Sequence, residues 1–296
     1  MPLTPQSTYT LNNGVKIPVI ALGVYKTENN VAKDVVYDAL EAGYRHFDSA
    51  ELYGNEAEVG EGIAKWLKDT GTDRSEIFYT TKIYDTHQGY EEAKKQIDVS
   101  LDRVKALGYI DLILIHSPLT SKKKRLGTWK ALQEAVNEGK VKSIGVSNFG
   151  IHHLKELLSW EGLEIKPVTD QVELSPWLTR EELDKYCKSE DILLQAYCPL
   201  TRCEKFGDAT LVKLSEKYGK SPAQILIRWS LQKGFNVLPK SGNKKRLVQN
   251  LDVFDFEILG EDINALSQPG AKESFAGWAA DPLEFKDDDE AEYREI

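Results

Sequence analysis

The sequence predicts an α/β protein, a (β/α)8 or TIM barrel with an N-terminal β-hairpin plug and a C-terminal extension. Short apolar runs alternate with amphipathic helical stretches along 296 residues, and no low-complexity linker divides them. Nearly every run ends in a polar or ionisable residue: Asp48, Lys82, His116, Ser147-Asn148, Gln171, Tyr197 and Lys240. In a parallel barrel the C-terminal strand ends share one face, so these side chains would converge on one mouth. A single domain over 1–296 is expected, with the extension starting at about 268.

The elements follow in order. Tyr9 to Pro18 alternates around Asn13-Gly14, a pair suited to a two-residue hairpin turn whose central positions need φ > 0. Residues 20–23 form the first barrel strand. A helix over 30–42 places Val31, Val35, Ala39 and Ala42 at helical spacing and stops at Gly43. The helix over 55–68 turns Ala57, Gly60, Ile63, Ala64 and Leu67 inward, and the one over 90–105 turns Ile97, Leu101 and Val104. Helices over 125–138, 150–159, 179–188, 221–233 and 243–251 complete the alternation, Ser221-Pro222 being a cap followed by proline at the first helical position. The charge runs Lys122-Lys123-Lys124-Arg125 and Asp287-Asp288-Asp289-Glu290 read as solvated faces or tails.

Composition excludes several classes. A net charge of −9 disfavours nucleic acid and anionic membrane as partners. No uncharged run approaches the roughly 20 residues of a membrane span. Three cysteines without a C-x-x-C pair fit a reducing compartment. The N-terminus lacks a signal-peptide pattern and Tyr293-Arg294-Glu295-Ile296 matches no retention address, so a cytoplasmic location is expected. No His-x-His or Glu-x-x-His spacing supplies metal ligands, and no metal is expected.

Asp48, Tyr53, Lys82 and His116 make a mechanism together. Singly, the Asp has an ordinary role as a helix cap, the Tyr as a packed ring with its hydroxyl outward, and the His as a satisfied core residue. Lys82 beside Tyr53 would favour phenolate and lower a pKa that starts near about 10, while Asp48 pairs with the ammonium. Tyr53 then serves as general acid for a carbonyl oxygen that His116 holds in place.

The segment Gly43-Tyr44-Arg45-His46-Phe47-Asp48-Ser49-Ala50-Glu51-Leu52-Tyr53-Gly54-Asn55-Glu56 resembles the first signature of the aldo-keto reductases. Ile144-Gly145-Val146-Ser147-Asn148-Phe149 is similar to their second and Val237-Leu238-Pro239-Lys240-Ser241 to their third, in register from about residue 9 to 266. The resemblance implies that Asp48, Tyr53, Lys82 and His116 are the catalytic tetrad. It implies that Ser147, Asn148 and Gln171 hold the nicotinamide carboxamide, that Tyr197 stacks on the ring, and that Leu200 lies along the cofactor. Lys240, Ser241 and Arg246 fall where the adenosine 2′-phosphate is gripped, Asn243 is a further cofactor-binding position, and Gln249 and Asn250 fall where adenine is touched. The cofactor expected is therefore NADPH (NADP+), and two fixed cations beside a dianion agree with that choice.

The sequence departs from the commonest family pattern at Asp170, usually Asn, and at Gln249, usually acidic. Gly242-Asn243 stand where a bulkier residue and often Thr occur. In the substrate pocket, Tyr25 and Tyr84 replace tryptophans and Ser117 replaces a large aromatic. The expected consequence is a wider mouth admitting ketones such as diketones or keto esters, while Trp278 and Phe275 of the extension either close the other side of the pocket or simply anchor the tail to the barrel. The expected partner is a small-molecule carbonyl, and the expected state a monomer, a dimer being the alternative. Two rival readings are a Schiff-base lyase using Lys82 and a slow or non-catalytic cofactor-sensing subunit on the same fold.

Overall fold

Strand β1 (Thr8–Thr10) pairs antiparallel with β2 (Lys16–Pro18), and eight parallel strands follow: β3 (Leu22–Gly23), β4 (His46–Asp48), β5 (Phe78–Ile83), β6 (Ile110–Ile115), β7 (Val141–Ser147), β8 (Thr169–Glu173), β9 (Leu193–Tyr197) and β10 (Asn236–Leu238). The computed structural model describes residues 3–287. Asp288 to Glu290 and the terminal Tyr293 to Ile296 lie outside the described residues. Each strand pairs with the next, and the sheet closes on itself: Ala21 N–H donates to Val237 O at 2.9 Å and Gly23 N–H to Pro239 O at 3.0 Å. The first barrel strand is shorter than residues 20–23, although Ile20 still bridges Val237.

Helices α1 (Asn29–Ala42), α2 (Glu56–Thr70), α3 (Tyr90–Arg103), α4 (Lys122–Asn137), α5 (Ile151–Leu158), α6 (Glu181–Ser189), α7 (Ala209–Tyr218), α8 (Pro222–Gln232), α9 (Lys244–Leu251) and α10 (Gly260–Leu266) are described. Eight lie between successive barrel strands, α7 and α8 both preceding β10, and two lie beyond β10. Helix α7 is not anticipated from the sequence because only Leu211 and Leu214 of it are buried, too narrow a stripe to stand out. Its termini carry the missed signal: Asp208 caps Thr210 and Leu211 N–H, and Gly219 ends it at φ 62°.

Two inner faces are rotated from expectation. On α1 the core side is Ala32, Val35, Val36, Ala39 and Leu40, and Val31 is exposed. On α2 it is Val59, Gly60, Ile63 and Trp66. Gly62 sets the spacing of these two helices, because a Cβ there would come within 2.8 Å of Lys33 O. Arg125 corrects the solvated reading of its charge run. It is 3 % exposed, pairs with Glu156 and Asp287 at 2.8 Å each, and donates to Pro118 O. Burying a guanidinium is tolerable only with such saturation.

The hairpin plugs the N-terminal end, where Leu11 and Ile17 pack on Phe78, Leu112, Leu114 and Val168. Its turn differs from expectation: only Gly14 has positive φ, and Leu11 N–H reaches Val15 O across a longer loop. Asn13 instead ties the turn to the barrel through Ser143 Oγ at 3.0 Å. The extension crosses the opposite end. Glu173 accepts from Ser274 Oγ and the Phe275 and Ala276 N–H groups, and Arg180 grips Asp281 through two nitrogens.

Candidate active site

Asp48 ends β4, Lys82 lies near the end of β5, and His116 follows β6, so three adjacent strands bring them to one point. Lys82 Nζ sits 2.6 Å from Asp48 Oδ1, 2.8 Å from Ser49 O and 3.4 Å from Tyr53 Oη. Tyr53 stands on a 3-10 turn, Glu51–Tyr53, that ends at Gly54 with φ 67°. Asn55, fully buried, fixes that turn: it accepts from Ser49 Oγ and donates to Val24 O and Thr27 O. The His116 ring meets Tyr53 edge-on at 6.0 Å and Tyr84 at 5.7 Å.

Protonation follows burial. Dehydration drives the His116 imidazole down to about 3, with Lys82 adding to the shift, so the ring is neutral at any working pH. Its Nδ1 is sealed without a partner. Lys82 is lowered by burial, against which the Asp48 carboxylate works. The expectation for Tyr53 is corrected: burial, then Asp48 and Tyr25, push its phenol well above 10. The ammonium is committed to Asp48 and a carbonyl, and at 3.4 Å it does not outweigh dehydration of the phenolate. Tyr53 therefore holds its proton.

The mouth is framed by tyrosines. Tyr25 is exposed and tilts onto Tyr53 at 5.0 Å, and Tyr84 is half-buried. Ser117 stands behind the wall rather than on it. It is 1 % exposed and donates to both oxygens of Asp85, at 2.7 and 2.8 Å. Burial pushes the Asp85 carboxyl up to about 6, opposed by those hydrogen bonds. The reason is local: Asp85, Gln88 and Ser117 lock the loops after β5 and β6 together, Gln88 donating to Asp85 and to Ser117 O.

Trp278 donates from Nε1 to Tyr197 Oη at 2.9 Å, and Tyr197 donates on to Asn148 Oδ1 at 2.8 Å. The extension thus reaches the strand-end cluster directly. A cavity of about 860 Å³ lies on this side, between α5, α6 and the extension, with Trp278 in its wall and no tetrad residue among its lining.

Ser147, Asn148, Gln171 and Tyr197 are brought together, and their polar atoms are already engaged. Ser147 Oγ donates to Gln171 O, and Asn148, held at φ 61°, donates to His116 O. Gln171 Nε2 donates to Asp48 Oδ2 at 2.8 Å and to Gln195 Oε1 at 3.2 Å. Among the described residues its Oε1 accepts nothing, which leaves an acceptor for a carboxamide N–H. Leu200 is half-buried on the loop that follows β9.

The second cluster lies after β10. Ser241 is buried and accepts from Asn243 N–H, and Asn243 caps α9 through Arg246 N–H. Lys240 and Arg246 are exposed, and the Lys240 ammonium is lowered by burial and by Arg246 nearby. Two cations that disfavour each other beside a helix N-terminus suit a dianion such as a 2′-phosphate. Lys244 pairs with Asp38 and takes no part in that cluster. Gln249 is exposed and Asn250 buried on α9.

Several residues escape sequence reasoning. Asn55, Glu51 and Asp85 position the loops, Glu51 accepting from Tyr84 N–H and meeting His87. Gln195 and Asn236 carry a weak signal, a polar residue inside an apolar strand run.

Residues 20–269 match the family model described as the aldo/keto reductase family. An uncharacterized oxidoreductase of Saccharomyces cerevisiae is 51 % identical over 267 residues, covering 90 % of this chain and 95 % of the yeast protein. Glyoxal reductase of Bacillus subtilis is 43 % identical, covering 90 % of this chain and 94 % of its own. A Bombyx mori aldo-keto reductase solved in complex with NADP superposes with a TM-score of 0.81 at 36 % identity, over 89 % of this chain and 92 % of that one.

Proposed function

We propose, for a chain that belongs to the aldo/keto reductase family, that Asp48, Tyr53, Lys82 and His116 carry out carbonyl reduction. The protein is an NADP-dependent oxidoreductase. The observation that carries the assignment is the buried Asp48–Lys82 pair beneath a protonated Tyr53, facing a neutral His116.

The reduced nicotinamide, when bound, supplies the hydride. The chain's own residues do the rest. His116 is neutral and its Nδ1 has no partner, and in the tautomer protonated at Nε2 the ring would donate to the carbonyl oxygen and orient it. Tyr53 delivers its proton as negative charge grows on that oxygen. Lys82, held by Asp48 and Ser49 O, places a fixed positive charge 3.4 Å behind the phenol, which stabilises the phenolate left after transfer. Gln171 Oε1, Asn148 and Tyr197 would hold the nicotinamide end. Lys240, Ser241 and Arg246 would hold the 2′-phosphate, with Gln249 and Asn250 toward adenine.

The substrate class we assign is small ketones, above all α-dicarbonyls and keto esters. The name of the Bacillus subtilis relative, glyoxal reductase, supports a dicarbonyl. A rim of tyrosines in place of indoles supports room beside the hydride position. A cytosolic location accords with the free thiols Cys187, Cys198 and Cys203.

The test is cofactor consumption, NADPH beside NADH, with glyoxal, a diketone, a keto ester and an aldose. Tyr53→Phe should cut turnover by at least about 10²-fold while NADPH binding stays near wild type. Retained turnover in that variant would remove Tyr53 from the role. NADPH binding without any carbonyl turnover in the wild type would favour the cofactor-sensing alternative.

A further inference from the structure

We propose that Gln195 and Asn236 are positioning residues that act from inside the barrel, orienting Gln171 and, through it, Asp48. The inference rests on the reductase reading of Asp48 and Lys82. The geometry is a chain of buried amides. Gln171 Nε2 donates to Asp48 Oδ2 at 2.8 Å and to Gln195 Oε1 at 3.2 Å. Gln195 Nε2 donates to Asn236 Oδ1 at 2.7 Å, and Asn236 Nδ2 donates to Pro18 O at 2.7 Å. Gln195 and Asn236 are 0 % exposed and Gln171 is 2 %. The three occupy one level of the sheet, since Gln195 is in register with both Gln171 and Asn236.

Both ends of this chain can only accept. Pro18 O is a backbone carbonyl, and Asp48, ion-paired to Lys82, is a carboxylate. An amide presents its donor on one side and its acceptor on the other, so Pro18 O dictates every orientation above it. Asn236 must turn its nitrogen down and its oxygen toward Gln195. Gln195 must then turn its oxygen toward Gln171. Gln171 consequently commits both N–H groups to the network, and its oxygen alone remains for the mouth. Reversing any one amide would set two acceptors or two donors face to face in a dry interior. A carbonyl of the hairpin's second strand thereby fixes which group Gln171 offers a carboxamide, and Gln171 in turn holds the Asp48 carboxylate toward Lys82. No such constraint arises from a purely space-filling polar belt.

The experiment uses the full chain, with Gln195→Met and Gln195→Glu beside wild type. It measures NADPH affinity by tryptophan quenching, kcat and KM with 2,3-butanedione across pH, and Tm. Methionine keeps length and removes both hydrogen bonds. Gln195→Met should weaken NADPH several-fold and lower kcat about tenfold, with KM for the dione nearly unchanged. Gln195→Glu provides the conservative rescue. Protonated, it donates to Asn236 and accepts from Gln171 as glutamine does; ionised, it faces Asn236 Oδ1 with a second acceptor. Its kcat and NADPH affinity should approach wild type at low pH and fall as pH rises, where wild type stays flat. Unchanged affinity and kcat in Gln195→Met, or a fall in Tm alone, would overturn the proposal. Should Gln195→Met fail to fold, a wild-type pH profile in Gln195→Glu overturns it equally. If wild type binds NADPH but reduces no carbonyl, the reductase reading fails, and the affinity measurements still decide the relay.

Discussion

Asp170 shows how one oxygen in place of a nitrogen alters a buried site. The residue is 0 % exposed, its Oδ1 accepts from Phe149 N–H, and its Oδ2 has no partner. Burial pushes the carboxyl up to about 8. The unfolded chain would release this proton near pH ~4, and the folded chain only near about 8. Between those values the folded state binds more protons, so stability falls as pH rises through the window and the loss is complete above it. Asp170→Asn keeps the Phe149 contact and removes the titration. Its Tm should exceed that of wild type by ~5 °C or more at pH 8.5 and by much less at pH 4. Parallel Tm curves across pH would contradict this account. Lys240 gives the second prediction at this scale. Lys240→Ala should weaken NADPH by ~1.5–3 kcal/mol, the range for a lost charged hydrogen bond, and leave NADH nearly unchanged. Equal weakening of both cofactors in a titration would refute the 2′-phosphate assignment.

Among the elements, the hairpin and the helices divide according to how much of each is local. The Tyr9-to-Pro18 hairpin is legible because alternation and Asn-Gly are local signals, yet its turn geometry is settled by Asn13 reaching Ser143 across the barrel floor. Val31 illustrates the same limit on α1, since a period predicts that a stripe exists and packing decides where it is centred. Leu11 tests the plug. Leu11→Ala should cost about 2–5 kcal/mol in urea unfolding, because Leu11 is 3 % exposed in a cluster sealing the barrel's lower end. Turnover per folded molecule should not change, since Leu11 belongs neither to the tetrad nor to the amide chain that starts at Pro18 O. A fall in kcat without a fall in stability would place the hairpin in the active site instead.

At the scale of the whole molecule, the extension is bound into the barrel by charges drawn from several elements, Lys205 pairing with Glu273 among them. Glu173 comes from β8, Arg180 from the turn before α6 and Arg125 from α4. Trp278 adds a link to Tyr197. We therefore expect one domain and one unfolding transition, with tryptophan fluorescence and far-UV circular dichroism changing together on heating. An early, separate fluorescence transition would show the extension folding independently.

The sequence by itself determined the barrel class, the plug and, α7 and α10 apart, the order of elements. Those follow from periodicity and turn chemistry, which are written along the chain, whereas the cofactor-binding roles expected of individual residues rest on the resemblance to the family. Only the tertiary structure decided the direction of the Tyr53 shift, the burial of Arg125, the turning of Ser117 toward Asp85, and the amide chain from Pro18 to Asp48. Each of these depends on how much water reaches a group and on which partner, often more than a hundred residues away, faces it. Dehydration and hydrogen-bond direction belong to the packed interior, and no local pattern encodes them.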